Sequence, residues 1–397
     1  MSSERARALH LLQRIEREQL YASLLLLGES GFVRTVVLGV LRWRSRLDFV
    51  IAELAQRAVK KLDPPVVDVL RVGLYQLLYM DVAQYAAVSE TVDLAPKRAR
   101  GFVNAILRRV TRDGVPEPRD PATRHGHPQW LFERWARTFG SERAEKIAAA
   151  NQELSYPDVL ALGDEEPPNG ERSSLLPTLW KLHGGTAELD RERFYPMDEG
   201  SAVIAAIAQA CGDDVLDLAA APGGKTIYME HHGARVVSND VSIARLRVLR
   251  GAAPASGADG GRSGHRSTVV SDGRRPPFRR RFDVVLLDAP CSATGTIRKN
   301  PEIKWRLREE ELQAFAKLQR ELLESALSLA SQYVVYSTCS LEPEENDAVV
   351  GSEHVDITPF VPEGARSWVE NGVLRLTPES GADGFTAFVL NASAHAA

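Results

Sequence analysis

Three cysteines in 397 residues are too few, and odd in number, for a disulfide framework, and they form no recognisable zinc spacing. They read as reduced thiols, for which catalysis is one use. No apolar run reaches the roughly 18–20 residues of a membrane span. The opening Met1–His10 lacks the basic-then-apolar order of a secretory signal. The expectation is therefore a cytoplasmic protein with no membrane partner. A surplus of positive charge is missing too: the net charge of −4 argues weakly against nucleic acid. Its distribution matters more. Residues 1–115 carry 18 Lys+Arg against 12 Asp+Glu, net +6, whereas the remainder carries 31 against 41, net −10. Hydrophobic residues at 44% and charged residues at 26% exclude a disordered or fibrous chain, and the length favours more than one domain.

From Glu4 to about Arg112 apolar residues recur at helical spacing, with no useful period-2 stretch. Asp63-Pro64-Pro65 predicts a helix start capped by Asp63, and Val66–Tyr79, apolar on more than one side, a central bundle helix. Another helix carries Gly101–Arg109, where Arg108 and Arg109 form either a solvated end or an RNA contact. Proline, glycine and charge between Thr111 and Pro128 mark a linker, followed by one helical stretch over Trp130–Asn151. Residues 155–195 have no firm assignment beyond a polar loop at Gly163–Ser174. From Asp214 short apolar runs alternate with helical segments, the pattern of a parallel α/β sheet. The runs are Val215–Leu218, Arg235–Ser238, Thr268–Val270, Phe282–Leu287 and Tyr333–Tyr336, with a flexible Gly/Ala/Ser-rich loop at Gly251–Gly264.

Open α/β sheets bind ligands at the carboxyl ends of their strands. After the first run, Asp217-Leu-Ala-Ala-Ala-Pro-Gly-Gly-Lys-Thr226 opens a helix, where glycines admit a ligand close to backbone and free amides favour its polar groups. A triphosphate P-loop would need glycine at position 219, which is alanine. Asp240, after the second run, is placed for ribose hydroxyls, and Asp272, after the third, for an adenine amino group. Together they describe a nucleoside-containing cofactor. Asp288-Ala-Pro-Cys-Ser-Ala-Thr-Gly295 and Tyr336-Ser-Thr-Cys-Ser-Leu-Glu-Pro-Glu-Glu-Asn346 close the fourth and fifth runs, so Cys291 and Cys339 can share one cleft. Cys211 lacks such company and is expected to be structural.

With these blocks and Leu41–Asp48, Leu70–Leu77 and Gly101–Arg108, the chain resembles the RsmB/Sun (Fmu) family of bacterial 16S ribosomal RNA cytosine-5 methyltransferases over nearly its whole length. The resemblance implies an all-α NusB-like RNA-binding bundle at 1–115, a connecting region at 116–195, and a Rossmann-like α/β methyltransferase domain at 196–392. It implies S-adenosylmethionine bound by Ala219, Ala220, Ala221, Pro222, Gly223, Gly224 and Lys225 with Asp240, Asp272 and Asp288. Cys339 would be the nucleophile, Cys291 would assist release of the product, and Asp288 would also face the cytosine. The partner would be 16S ribosomal RNA, free or partly assembled, met by a monomer without a metal. The chain departs from the family at Ala219, where cysteine is usual, and in the length of the 251–264 loop.

That chemistry suits the residues. Carbon 5 of cytosine is a poor nucleophile until a thiolate adds to carbon 6, and a target base must be single-stranded or flipped out. Two basic groups, Arg298, Lys299, Lys304, Arg306 and Arg308, and Arg274, Arg275 and Arg279–Arg281, are either an RNA path or solvated surface.

Overall fold

Side-chain caps and glycines set several helix ends in the computed structural model, which describes residues 3–184, 189–251 and 266–395. Chain contacts separate two units: Met1–Glu153 with Ile297–Arg308, and Leu154–Thr296 with Glu309–Ala397.

The first unit is helical. Its long elements span Glu4–Glu18, Gly31–Ala55, Pro64–Tyr79, Gln84–Leu94, Arg100–Asp113, Gln129–Phe139 and Ser141–Ala150. Ser3 and Ser30 accept hydrogen bonds from the amides of Ala6 and Val33 and so cap the first two. Asp63 takes the extended conformation expected before Pro64, but its side chain makes no cap bond and instead accepts from Arg98 at 2.9 Å. Helix Pro64–Tyr79 is the central one, with Val66, Val67 and Val69–Gln76 all buried. Its Tyr75 ring lies where a Cβ on Gly39 would stand, 1.8 Å from Cζ, so these two helices approach only because position 39 is glycine. The single helical stretch expected over Trp130–Asn151 is two helices: Gly140 sits at φ +83°, a left-handed conformation that ends the first.

Residues 297–308 complete this unit, which corrects the expectation of solvated or RNA-facing charge for Arg298 and Lys304, whereas Arg308 is exposed. Lys304 is buried and donates from Nζ to the carbonyls of Arg42 and Gly126, both at 2.7 Å. Arg298 is buried as well, and its carbonyl accepts from Arg42 at 2.8 Å. Trp305 Nε1 donates to the Leu41 carbonyl, and Glu302 accepts from the amide of Ala22. Burial, with Arg42 nearby, pushes the Lys304 ammonium well below its ordinary range.

The second unit holds two sheets. Strands β1 (Asp158–Ala161), β2 (Gly170–Arg172), β3 (Leu179–Leu182) and β4 (Phe194–Pro196) form an antiparallel sheet in the order β2-β3-β1-β4, so part of the loop expected at Gly163–Ser174 is strand. Strands β5 (Asp214–Asp217), β6 (Arg235–Asp240), β7 (Ser267–Val270), β8 (Phe282–Asp288), β9 (Ala330–Thr338), β10 (Val369–Glu370), β11 (Val373–Leu376) and β12 (Phe385–Asn391) form the larger one. Its order is β10-β11-β12-β9-β8-β5-β6-β7. β7, β6, β5, β8 and β9 run parallel, and β12 joins β9 antiparallel. The strand order reverses between β5 and β8, and such a switch opens a crevice at the carboxyl ends of those strands. Helix Glu199–Cys211 buries its alanine-rich sides on one face of the sheet, and Leu312–Leu329 covers the other. Cys211 is buried there, its thiol pushed up to about 12 by desolvation, in keeping with a structural role. Of the loop expected at 251–264, only Gly251 falls within the described residues, as the end of helix Ile243–Gly251.

Candidate active site

β5 and β8 carry the crevice. Beyond β5, Gly223 has φ +112°, and a Cβ there would stand 2.4 Å from Leu249 Cδ1; the turn therefore requires glycine before helix Gly224–His231 begins. Ala219–Lys225 form this turn as expected. Ala220 donates to the Asn239 carbonyl at 2.8 Å and Ala221 to Asp240 Oδ2 at 3.1 Å, which ties the turn to the end of β6. Asp240 also accepts from the amide of Ser242 and from Arg245. Asp217 is buried, and its Oδ2 accepts from Thr226 at 2.8 Å while Oδ1 has no hydrogen-bond partner. Desolvation raises its carboxyl to about 7.

Asp272 is exposed at the end of β7 and pairs with Arg274 at 2.6 Å, which holds its carboxyl down at about 2. Arg274, in the second basic group, is exposed and pairs with Asp272 and with Glu321. Val241, Ile243 and Val270, beside these aspartates, are exposed apolar chains at the carboxyl ends of β6 and β7. The orphaned Asp217 Oδ1, the glycine-dependent turn and this apolar rim together suit a ligand with amino groups and a flat ring. S-adenosylmethionine has both.

Lys225 departs from the turn. Its Nζ lies 2.6 Å from Asp288 Oδ2 and 2.8 Å from Ser201 Oγ. Burial alone would depress this ammonium, but the negative groups of Asp288, Asp217 and Cys339 outweigh it and hold it above its ordinary value. Asp288 accepts a second hydrogen bond, from Ser337 Oγ on β9 at 2.9 Å. Ser201 and Ser337 were missed in the sequence, where a serine on a helix or strand carries no signal.

The structure brings the two cysteines together: Cys291 Sγ and Cys339 Sγ are 3.4 Å apart, both half-buried. Their loops are stitched by Gly295 N donating to the Cys339 carbonyl at 2.9 Å and Leu341 N to Thr294 Oγ1 at 2.9 Å. Contact with Cys339, burial and the charge of Glu345 push the Cys291 thiol well up. Among the described residues no cluster of His, Cys, Asp and Glu has the makings of a metal site.

Two family models match this chain: 16S rRNA methyltransferase RsmB/F over residues 204–388 and the NusB family over residues 2–112. A "Probable ribosomal RNA small subunit methyltransferase B" of Bacillus subtilis is 31% identical, with 97% of each chain covered. The chain belongs to the RsmB/F methyltransferase family. A second relative, the ribosomal RNA small subunit methyltransferase B of Pseudomonas putida, is 32% identical over 90% of this chain and 89% of its own. The fold also matches solved structures: PH0851, with TM-score 0.68 at 22% identity over 98% of this chain and 99% of that one, and NSun6 from Pyrococcus horikoshii, with 0.53 at 20% over 66% and 98%. As a member of the RsmB/F family the chain is a methyltransferase with an N-terminal NusB helical domain and a Rossmann-like sheet, as the sequence led us to expect. No helix among the described residues is long and apolar enough to cross a membrane.

Proposed function

We propose that this RsmB/F family member methylates carbon 5 of a cytosine in 16S ribosomal RNA, with S-adenosylmethionine as donor and Cys339 as covalent nucleophile. The observation that carries the reading is the pair of sulfurs 3.4 Å apart at the ends of β8 and β9, beside the Lys225–Asp288 pair. One thiol suffices for addition; two in contact suit a reaction in which a covalent bond to the enzyme must form and then break.

In this reading Ala219–Gly224, Asp240 and Asp272 hold the cofactor, with Asp217 beneath the turn. Bound S-adenosylmethionine supplies an electrophilic methyl group to the activated carbon 5. Cys339 activates that carbon by adding to carbon 6. Asp288, kept in place by Lys225 and Ser337, faces the cytosine, and a proton held between its carboxyl and cytosine N3 steadies the negative charge developing on the ring. A water molecule accepts the carbon 5 proton, the electron pair of that C–H bond re-forms the C5–C6 double bond, and the C6–S bond breaks with the Cys339 sulfur leaving as a thiolate. Cys291, protonated and in contact with it, donates S–H to that sulfur and so eases release. The helices that match the NusB family are the RNA-binding part, and the partner is free or partly assembled ribosomal RNA. Arg108 and Arg109 belong to that surface, both on the exposed side of helix Arg100–Asp113.

The test is incubation with methyl-labelled S-adenosylmethionine and unmodified 16S RNA, followed by nucleoside analysis. Labelled 5-methylcytidine is the expected product. Label in another nucleoside would refute the cytosine assignment, and no label on RNA bound by folded protein would refute the substrate.

A further inference from the structure

Glu345 is fully buried beneath the two cysteine loops, and it touches neither cysteine through a hydrogen bond. Its Oε1 accepts from the backbone amide of Ser292 at 2.8 Å and from Gln319 Nε2 at 3.0 Å. Its Oε2 accepts from the hydroxyls of Ser292 and Ser340, the latter at 2.5 Å. Ser292 follows Cys291 and Ser340 follows Cys339. Each of the four contacts offers a donor to the Glu345 carboxylate. Nearby groups hold Glu345 from behind: Tyr336 donates to its carbonyl at 2.6 Å, and Gln319 also donates to the Pro290 carbonyl at 2.9 Å. Burying a carboxylate is costly unless its hydrogen bonds are complete, and here one such group joins β8, β9 and helix Leu312–Leu329.

We infer that Glu345 is a positioning residue of the methyl-transfer site: its buried carboxylate ties the two cysteine loops together and sets which sulfur of the pair carries the shared proton. This rests on the reading of Cys339 as nucleophile. Two sulfurs in contact share one proton when one of them is a thiolate. A fixed negative charge beside one sulfur disfavours the anion there, and Glu345 is held chiefly by the Cys291 loop, through the amide and hydroxyl of Ser292 and through Gln319 on the Pro290 carbonyl, against the Ser340 hydroxyl alone on the Cys339 loop. Contact with Cys339 and burial push the Cys291 thiol up, and the charge of Glu345 adds to them. Cys291 therefore remains the donor of the pair. The groups facing Cys291 are the Cys339 sulfur, the Glu345 carboxylate and the Tyr336 hydroxyl, while Lys225 faces Asp288 and Cys339.

Glu345→Gln keeps the size of the side chain and removes its charge. Two readouts follow, each with folding checked by circular dichroism. In a Cys339→Ala background, alkylation of Cys291 by iodoacetamide is followed against pH, with the site identified by mass spectrometry. Glu345→Gln is expected to lower the midpoint by about one pH unit. In the chain with both cysteines it should lower kcat at least ten-fold, with KM for RNA changed less than three-fold. A midpoint within 0.3 unit of that without the substitution, or kcat within two-fold, overturns the inference. Should Glu345→Gln not fold, Ser340→Ala removes one of the four donors; it is expected to lower kcat with KM unchanged, and full kcat would overturn the tie. The alkylation arm needs no RNA. It decides on Glu345 even if the wild-type chain makes no 5-methylcytidine, a result that would refute the reaction and not the placement.

Discussion

Gly295 is the position at which one added methyl group should do most harm. A Cβ there would stand 2.3 Å from the Gly384 carbonyl oxygen, 2.8 Å from its carbon and 2.9 Å from the Cys339 carbonyl oxygen. All three are backbone atoms, so no side-chain rotation gives relief. Restoring an ordinary contact takes about 1 Å of main-chain movement. It strains the bond from Gly295 N to the Cys339 carbonyl at 2.9 Å and that from Gly384 N to the Gly295 carbonyl at 2.8 Å. With about 1 kcal/mol for each hydrogen bond weakened and about 1–3 kcal/mol for overpacking, Gly295→Ala should destabilise the catalytic unit by roughly 2–4 kcal/mol. That corresponds to a Tm roughly 5–15 °C lower for a unit of this size. Because the carbonyl displaced is that of Cys339, the proposed nucleophile, kcat should fall on the order of 100-fold, the cost of about 1 Å of misalignment. Thermal melts and single-turnover methyl transfer measure the two effects. A Gly295→Ala protein with Tm within 2 °C and turnover within two-fold of wild type would refute the argument that the loops are locked backbone to backbone.

Other substitutions probe the rest of the site. Cys339→Ala should abolish turnover, whereas Cys291→Ala should allow attack and accumulate a protein–RNA adduct visible on denaturing gels; reversed outcomes would exchange the two roles. Asp288→Asn leaves the buried Lys225 ammonium without its partner and should cost about 2 kcal/mol, below the figure for a fully buried pair because Asp288 is partly exposed; an unchanged denaturation midpoint would count against the pair. Asp217, raised to about 7 from an ordinary 3.8, binds its proton more tightly folded than unfolded. It therefore gives stability that is complete below about pH 4 and is lost as pH rises toward 7, and Asp217→Asn should remove that slope from a pH series of urea melts. Lys304→Met strips the donors from two buried carbonyls and should destabilise the helical unit by about 2–4 kcal/mol; a neutral outcome would show that those carbonyls find other partners.

The five parallel strands β5 to β9 and both cysteine loops were legible because each apolar run is short and ends in a chemically distinctive block, whereas β1 to β4 and β10 to β12 lie outside those runs. Gly140 hid a helix break because a lone glycine in a helical pattern announces nothing until its φ is known. The segment 297–308 misled for a different reason. Five basic residues in a short stretch normally mean solvent or phosphate, yet Lys304 and Arg298 are buried because backbone carbonyls from residues 42 and 126 meet Lys304 and Arg42 meets the Arg298 carbonyl, partners about 170 to 260 positions away. Glu345 lay in plain sight within the block that ends at Asn346. Its place was invisible because its donors come from three elements that only the folded sheet assembles.

That the helical unit includes residues 297–308 has a consequence for synthesis. A ribosome delivers the first 153 residues and then about 155 more before the last piece of that unit emerges, which at about 5–20 residues per second is roughly 8–30 s. Throughout that interval the carbonyls of Arg42 and Gly126 await an amine that has not yet been made, and the bed of Trp305 is open to water. The nascent helical bundle must therefore wait, incomplete, while four of the eight strands of the larger sheet are translated, and a nonsense mutation between residues 153 and 297 would release a helical unit that lacks its closing segment.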